Sequence, residues 1–138
     1  MFSGACGHTY GHYSVFMFHS AERPGVWADP EMFDWREALH RPGAGQVGLL
    51  KGLAEQYGPF EASAALLEAP PPNSRAVRAG ENILVYLPEA GEVKVRGSEE
   101  LKGVWFDPRD GSRTEVSPQA PFVPPAENTD WVLILEPV

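Results

Sequence analysis

The second half of the chain alternates between short apolar runs and polar turns, a pattern typical of β-strands. In EVKVRG (92–97), Val93 and Val95 alternate with charged residues, which predicts one buried and one solvated strand face. Several runs of this kind follow one another, separated by turns. They cover residues 75–79, 82–88, 92–97, 103–116 and 130–138. The pattern predicts a mainly β fold, a small antiparallel β-sandwich.

The final run, DWVLILEPV (130–138), is apolar almost throughout. Apolar side chains on both faces of a strand indicate that both faces are covered. We therefore expect this strand to lie in the middle of its sheet.

The first half has the periodicity of short helices. Asp29-Pro30-Glu31 is a good helix start, with Asp29 as the cap, and the helix should run to about Leu39. A second helix is predicted over 43–57, because its apolar residues recur at a spacing of three and four and Gly58-Pro59 follows. The run YSVFMF (13–18) predicts either a buried strand or a short buried helix, which periodicity does not distinguish.

The prolines divide the chain. APPPNS (69–74) stiffens the backbone and blocks helix and sheet pairing. We therefore predict a short α/β segment over 1–58, a proline-rich linker over 59–73, and a β-sandwich module over 74–138.

Length and charge narrow the class of protein. The chain of 138 residues suffices for one ordinary domain, or for a small domain with an extra segment. Its net charge of −8 disfavours nucleic acid and anionic membranes as partners, since both are bound through basic surfaces. The sequence has neither a signal-peptide pattern nor an apolar run of about 20 residues. We expect a soluble protein with no cofactor.

The loop GACGHTYGHYS (4–14) contains the only cysteine and two of the four histidines. Cys6, His8 and His12, with His19 nearby, could bind a soft divalent metal through thiolate and imidazole. Their spacing matches no standard metal framework, and the glycines of the loop favour a role in backbone shape. A Cys/His nucleophilic pair is disfavoured, because no third group to orient it is evident.

The stretch Asp107-Pro108-Arg109-Asp110-Gly111 also combines carboxylates with a glycine, as calcium loops do. It lacks the regular oxygen spacing and the closing Glu of such loops. Proline near its start and glycine at its end instead predict a tight hairpin turn.

Aromatic residues on the predicted strands have two possible roles. Tyr86, Trp105 and Trp131 could stack on sugar rings, as aromatic rings do in sugar-binding modules, or they could pack in the core. Trp105 and Phe106 should lie on opposite faces of their strand, so one of them is expected to be exposed or interfacial. Trp27 and Trp35 are expected to hold the last helix against the sandwich.

Four stretches, read in order, resemble one known family. They are SGACGHTYGHYSV, DWREALHRPGAGQVGLLKGL, NILVYLP and GVWFDPRDG. Together they resemble the C-terminal part of the apiosidase-like glycoside hydrolases. That family has a (β/α)8 barrel followed by a β-sandwich module named for collagen binding. The resemblance covers nearly the whole chain.

The resemblance implies a role for each part. Residues 1–11 would be the last barrel strand and its loop, and 43–57 the last barrel helix, with the sandwich from about residue 60. His8, Tyr10 and His12 would then form a substrate-facing loop at the mouth of the barrel. The family also implies plant cell-wall sugars as ligands and secretion of a longer protein; the localisation of this chain stays open.

The resemblance supplies no catalytic pair. A complete barrel needs about 200–250 residues, and glycosidases use two carboxylates that flank the scissile bond. In the family these come from earlier barrel strands, which have no counterpart here. The acidic residues of the matching region lie in a linker and at a helix start: Glu22, Asp29, Glu31, Asp34 and Glu37.

Three functions are therefore considered. The leading one is a non-catalytic accessory module of a carbohydrate-active protein, which binds a polysaccharide or oligosaccharide, or packs its apolar surface against a catalytic barrel or in a homo-oligomer. The second is a small stand-alone metal-dependent enzyme that uses the histidine-rich loop. The third is a module that binds collagen or another protein, which rests on the family name alone.

Overall fold

The structure, a computed structural model, describes residues 1–24, 32–116 and 120–138. It is built around an antiparallel sheet with a smaller sheet on one face and a helix on the other. None of the helices in these three ranges is long and apolar enough to cross a lipid bilayer.

Among the described residues of the first half, three segments form α-helices: α1 (Tyr13–Phe16), α2 (Trp35–Ala38) and α3 (Pro42–Tyr57). Helix α3 begins with a proline at its first turn, where no N–H is needed. It ends at Gly58, whose N–H donates to the carbonyl of Ala54 at 3.0 Å. The prediction of a helix over 43–57 is confirmed.

The other two helices are shorter than the sequence suggested. The predicted start at Asp29-Pro30-Glu31 lies outside the described residues. Helix α2 is instead capped by Asp34, whose Oδ1 accepts from the Arg36 N–H at 2.8 Å. Of the two predictions for 13–18, the short helix is confirmed, since α1 is a single helical turn. The predicted burial was wrong, because Phe16 is 78% exposed.

Eight strands follow in the described ranges, and they form two sheets. They are β1 (Glu61–Ala62), β2 (Leu67–Glu68), β3 (Arg75–Ala79), β4 (Asn82–Leu87), β5 (Lys94–Val95), β6 (Leu101–Phe106), β7 (Arg113–Val116) and β8 (Trp131–Pro137). The large sheet has the order β1-β3-β4-β8-β6-β7, and β2 pairs with β5 in the small one. Neighbouring strands are antiparallel. These findings confirm the mainly β fold and the central position of β8.

One face of the large sheet is covered by the small sheet. The side chains that point to this side alternate along the strands, and Trp105 and Leu133 are among them. They pack against Leu66, Val95 and Phe122, and Phe122 reaches the core because its segment pairs with Val93. This side forms the sandwich core that the sequence predicts.

The opposite face of the large sheet is covered by helix α3. Leu53 and Tyr57 of α3 pack on Val132 and Ile134 of β8 and on Phe106 of β6. Phe106 is therefore the interfacial member of the Trp105–Phe106 pair, while Trp105 lies in the sandwich core. Both strand faces are buried because both layers are present.

A polar cluster holds the C-terminal end of α3 to the sheet. The Tyr57 hydroxyl donates to Oε1 of Glu136 on β8 at 3.0 Å and accepts from the Arg113 guanidinium of β7 at 3.3 Å. Arg113 also donates to Oε1 of Gln56 at 2.9 Å. Burial raises the pKa of the Tyr57 hydroxyl, so it keeps its proton and acts as a donor.

Two expectations, one about the linker and one about the packing of Trp35, need correction. Residues 59–73 were expected to form a linker, yet they contribute β1 and β2, because Leu66 finds a buried site under the large sheet. Trp35 was expected to hold α3 against the sandwich, but its ring lies edge-on to Phe18 at 5.5 Å. Trp27 lies outside the described residues.

The end of α3 gives a prediction about stability. A Cβ at Gly58 would lie 2.5 Å from the backbone oxygen of Ala54, whereas a Cβ at the exposed Gly52 would meet nothing within 4 Å. Gly58→Ala should lower the free energy of unfolding by about 1–3 kcal/mol through this clash. The matched control Gly52→Ala should raise it by about 0.5–1 kcal/mol, because alanine is the better helix former. Urea unfolding measures both, and equal effects of the two variants would contradict the packing described here.

Candidate functional site

A shallow cleft lies where the N-terminal loop meets helix α3 and the loops of the sandwich. We call it the junction cleft; its volume is about 390 Å³. The residues with functional side chains that line it are His8, Tyr10, Gln46, Arg109 and Asp130. Four separate parts of the sequence therefore meet at one place.

Tyr10 is positioned by a close approach to the start of α3. A Cβ on Gly43 would lie 3.2 Å from both Cε2 and the hydroxyl oxygen of Tyr10. The absence of a side chain at Gly43 thus lets the phenol end of the ring lie against the helix. The residue as a whole is still 40% exposed. Tyr10 is an aromatic surface that the helix supports and that a ligand can reach.

His12 is not part of this cleft, although the sequence grouped it with His8 and Tyr10. Its Nδ1 accepts from the Ser14 N–H at 3.3 Å and caps helix α1. Its ring lies edge-on to Phe33, with the centroids 6.4 Å apart. The structure therefore brings His8 and Tyr10 together at the cleft and gives His12 a local structural contact.

The four metal-ligand candidates do not form a metal site. A metal-dependent enzyme would need His8 and His12 to converge with His19 or a carboxylate. In residues 1–24, 32–116 and 120–138, no three His, Cys, Asp or Glu side chains are placed to hold one ion. Cys6 is a free, exposed thiol.

The turn between β6 and β7 carries Arg109 into the cleft. The Asp107 carboxylate accepts from the Arg109 N–H at 2.9 Å and from its Nε at 2.8 Å, and it also accepts from the terminal Nη2. Gly111 donates back to the Asp107 carbonyl at 2.8 Å and has a φ of +81°, which glycine adopts readily. The geometry is that of the predicted tight turn.

This pairing changes the proton affinity of both groups. Hydrogen bonds from the Arg109 side chain are the main cause that lowers the pKa of the buried Asp107 carboxyl. The same hydrogen bonds raise the pKa of Arg109. The guanidinium is therefore held in one plane by a charged partner, while its side chain remains 47% exposed.

Asp130 immediately precedes β8 and forms the other polar wall. Its Oδ2 accepts from the Tyr86 hydroxyl at 3.3 Å. Burial, followed by the nearby Asp130 charge, raises the pKa of Tyr86, so its hydroxyl stays protonated and donates. Asp130 is thus oriented by a tyrosine of the large sheet.

Two of the three aromatic residues proposed to stack on sugars cannot do so here. Trp105 is 1% exposed and Trp131 is 5% exposed, and their rings pack edge to face with the centroids 6.4 Å apart. The indole N–H of Trp131 donates to the Ala126 carbonyl at 3.0 Å. Both are core residues, because the small sheet covers their side of the large sheet.

Tyr86 lies on the other side and is only half-buried. It lines a groove of about 490 Å³ between the N-terminal residues, α3 and the sheet. Its neighbours there are mostly apolar, and its ring lies 6.2 Å from that of Phe2. Tyr86 therefore lines this groove and orients Asp130 through its hydroxyl.

Sequence reasoning missed Gln46, Arg109 and Asp130 as site residues. Arg109 was interpreted as part of a turn, and Asp130 as the polar start of a strand. The available signal for Arg109 was an Asp two residues before it in a turn, a spacing at which the two side chains can pair. The sequence contained no signal for Gln46, because a single glutamine in a predicted helix forms no distinctive pattern.

Two family models match the chain. The model described as "Apiosidase-like, catalytic domain" matches residues 1–61, and the model described as "Putative collagen-binding domain of a collagenase" matches residues 68–136. These matches confirm the resemblance seen in the sequence. No curated protein is significantly similar to the chain.

Solved structures show the same fold. One, titled "Glycoside hydrolase", matches with a TM-score of 0.84 and 23% identity over 99% of this chain. Another, a glycoside hydrolase family 5 protein from Bacteroides vulgatus ATCC 8482, matches with a TM-score of 0.83 and 22% identity over 99% of this chain. The chain covers 34% and 33% of these two proteins, about a third of their length.

The Asp107–Arg109 pair predicts how stability depends on pH. Because the folded protein lowers the pKa of Asp107, the stabilisation is complete above about pH 4 and is lost as the pH falls through the folded value. Asp107→Asn should lower the free energy of unfolding at pH 7 by about 1–3 kcal/mol, since it removes charged hydrogen bonds to a buried group. It should also reduce the further loss of stability on acidification.

Urea unfolding between pH 7 and pH 3 measures this. Glu115→Gln removes an exposed carboxylate on β7 and is the control for the loss of one negative charge. If Asp107→Asn and Glu115→Gln had the same profile, the assigned role of the pair would be wrong.

Proposed function

This chain belongs to the collagen-binding-domain family named above, and its N-terminal part matches an apiosidase-like catalytic domain; we propose that it is an accessory module of a glycoside hydrolase. In this proposal the module docks on a catalytic barrel and presents a glycan-binding surface. It does not hydrolyse glycosidic bonds by itself. The barrel is either part of the same polypeptide or a separate subunit.

The observation that carries the proposal is an exposed apolar face on the N-terminal segment, which we call the docking face. Helices α1 and α2 lie side by side and leave large apolar side chains in solvent. The members of the docking face are Tyr13, Phe16, Phe18, Phe33 and Leu39. Such a cluster on a soluble protein marks a surface that another element covers.

A catalytic barrel is the occupant that fits this face. The docking face belongs to the segment that matches the catalytic-domain model, and α3 of the same segment packs on the sheet. About two thirds of each solved neighbour lies outside the part that this chain covers. The remaining barrel strands and helices of such proteins would lie against this segment.

The residues of the junction cleft support a non-catalytic role. Glycosidases need two carboxylates about 5–10 Å apart, one as acid and the other as nucleophile or base. Asp130 is the single carboxylate among the residues that line the cleft. Nearby Asp107 is engaged by Arg109, which favours its ionised form. The second carboxylate of such a pair is thus missing from the described lining of the cleft.

The alternatives have less support. The stand-alone metal enzyme would require ligands that the described residues do not bring together. Collagen binding rests on the name of the family model, and no contact among the described residues supports it. The experiments below therefore include collagen and metal as separate arms.

The first experiment is a pull-down of the purified chain on insoluble plant polysaccharides and on fibrillar collagen, with released sugar measured in the same tubes. We expect retention on polysaccharide without sugar release, because the junction cleft has a polar-aromatic surface and its described lining holds one carboxylate rather than a pair. Sugar release that a chelator or His8→Ala abolishes would overturn the proposal in favour of the metal enzyme. Retention on collagen alone would favour the protein-binding module.

The second experiment tests the docking face. We expect the isolated chain to associate weakly and to bind a hydrophobic dye, because the aromatic rings of this face lack their partner. The double variant Phe16→Asp/Phe18→Asp should weaken the association by about tenfold or more and should lose dye binding. Light scattering and dye fluorescence measure the two effects.

Val123→Asp is the matched control, since Val123 is an exposed apolar residue of the sandwich, away from this face. It should leave both readouts unchanged. A tight stoichiometric dimer that the double variant abolishes would show that a second copy covers the face. A monomer that binds no dye would show that the face needs no partner.

A further inference from the structure

We infer that the junction cleft is a binding site for a neutral sugar unit, with Tyr10 as the aromatic contact and with Gln46, Arg109 and Asp130 as hydrogen-bonding groups. This inference rests on the proposed function for the class of ligand, a glycan. The geometry and the charges of the cleft then indicate where the ligand binds and that the ligand is uncharged. The family resemblance implies a substrate-facing loop that includes Tyr10, whereas the roles of Gln46, Arg109 and Asp130 come from the geometry of the cleft.

The aromatic contact is the first requirement of a sugar site. The apolar C–H face of a sugar ring is desolvated most favourably by an aromatic side chain, because the ring offers apolar area at low entropic cost. Tyr10 has this character, since Gly43 supports its phenol end while 40% of the residue stays exposed. Trp105 and Trp131 do not, because they are buried.

Oriented polar groups are the second requirement. Arg109 uses its Nε and one Nη2 hydrogen for Asp107, which fixes the plane of the guanidinium. Arginine carries five N–H donors, so the other three can serve sugar hydroxyls. Asp130 accepts one hydrogen bond from Tyr86 at 3.3 Å, and a carboxylate has further acceptor positions. Donors and acceptors therefore lie within one cleft.

The charges around the cleft select a neutral ligand. The positive charge of Arg109 is compensated by Asp107, while Asp110 and Asp130 add negative charge near it. The chain as a whole carries a net charge of −8. A uronate or phosphate would meet repulsion here, whereas the hydroxyl groups of a neutral sugar can both donate and accept.

The position of the cleft separates this site from the docking face. Its walls come from the N-terminal loop, the first turns of α3 and two loops of the sandwich. The docking face consists of residues of α1 and of the segments that flank α1 and α2, and it contains none of the cleft residues. A ligand in the cleft would contact both family-matched segments at once. Binding and docking can thus be tested with different variants.

The experiment is a titration of the ¹⁵N-labelled chain with soluble neutral oligosaccharides, namely cello-, xylo-, manno- and arabino-oligosaccharides. Oligogalacturonides serve as the anionic counterpart. We expect at least one neutral series to shift the amide signals of Tyr10, Gln46 and Arg109, and galacturonides to bind at least about tenfold more weakly.

Variants then identify the residues. Tyr10→Ala should weaken binding of the active oligosaccharide by about tenfold, and Asp130→Asn by about three- to tenfold. Tyr13→Ala is the matched control, because Tyr13 is an equally exposed tyrosine on the docking face, and it should change binding by less than about twofold. Urea unfolding of each variant verifies that it is folded.

The outcomes distinguish this inference from the proposed function. If the chain is retained on polysaccharide but Tyr10→Ala and Tyr13→Ala bind alike, the site is wrong and the accessory module stands. If galacturonides bind more tightly than neutral sugars, the charge argument is wrong. If no oligosaccharide shifts these signals, the inference is overturned, while the docking-face variants decide the module proposal independently.

Discussion

The large sheet is apolar on both faces at its centre, and the rest of the structure depends on this. Along β8, Val132, Leu133, Ile134 and Leu135 are all buried, so neither face can be left in water. Burying four such side chains is worth several kcal/mol, at about 1.5–3 kcal/mol each. One face takes the small sheet, and the other takes helix α3. The segment that matches a catalytic domain is therefore part of the folding unit of the sandwich.

This arrangement explains how the junction cleft arises. Leu53 and Tyr57 fix α3 on the sheet, and the cluster of Tyr57, Arg113 and Glu136 holds its C-terminal end. With that end fixed, the first turns of α3 lie beside the turn that carries Arg109 and beside the start of β8. The N-terminal loop then packs on Gly43. The cleft is a consequence of core packing rather than of a local motif.

The same arrangement separates two kinds of surface. The docking face lies on and beside two short helices, where large apolar side chains stay exposed, and the cleft lies where the two family-matched segments meet. An accessory module of a barrel enzyme needs both a surface that contacts the barrel and one that meets glycan.

The sequence by itself determined the local elements. Alternation and turn residues identified the strands 75–79 and 82–87, helix periodicity identified α3, and the apolar run at the C-terminus identified the central strand. The tertiary structure decided what covers each face: it buried Trp105 and Trp131, exposed Phe16, drew Leu66 of the expected linker into the core, and brought Gln46, Arg109 and Asp130 to Tyr10. The physical reason is that periodicity reports which side of an element is apolar, whereas the partner that buries this side comes from residues distant in the sequence.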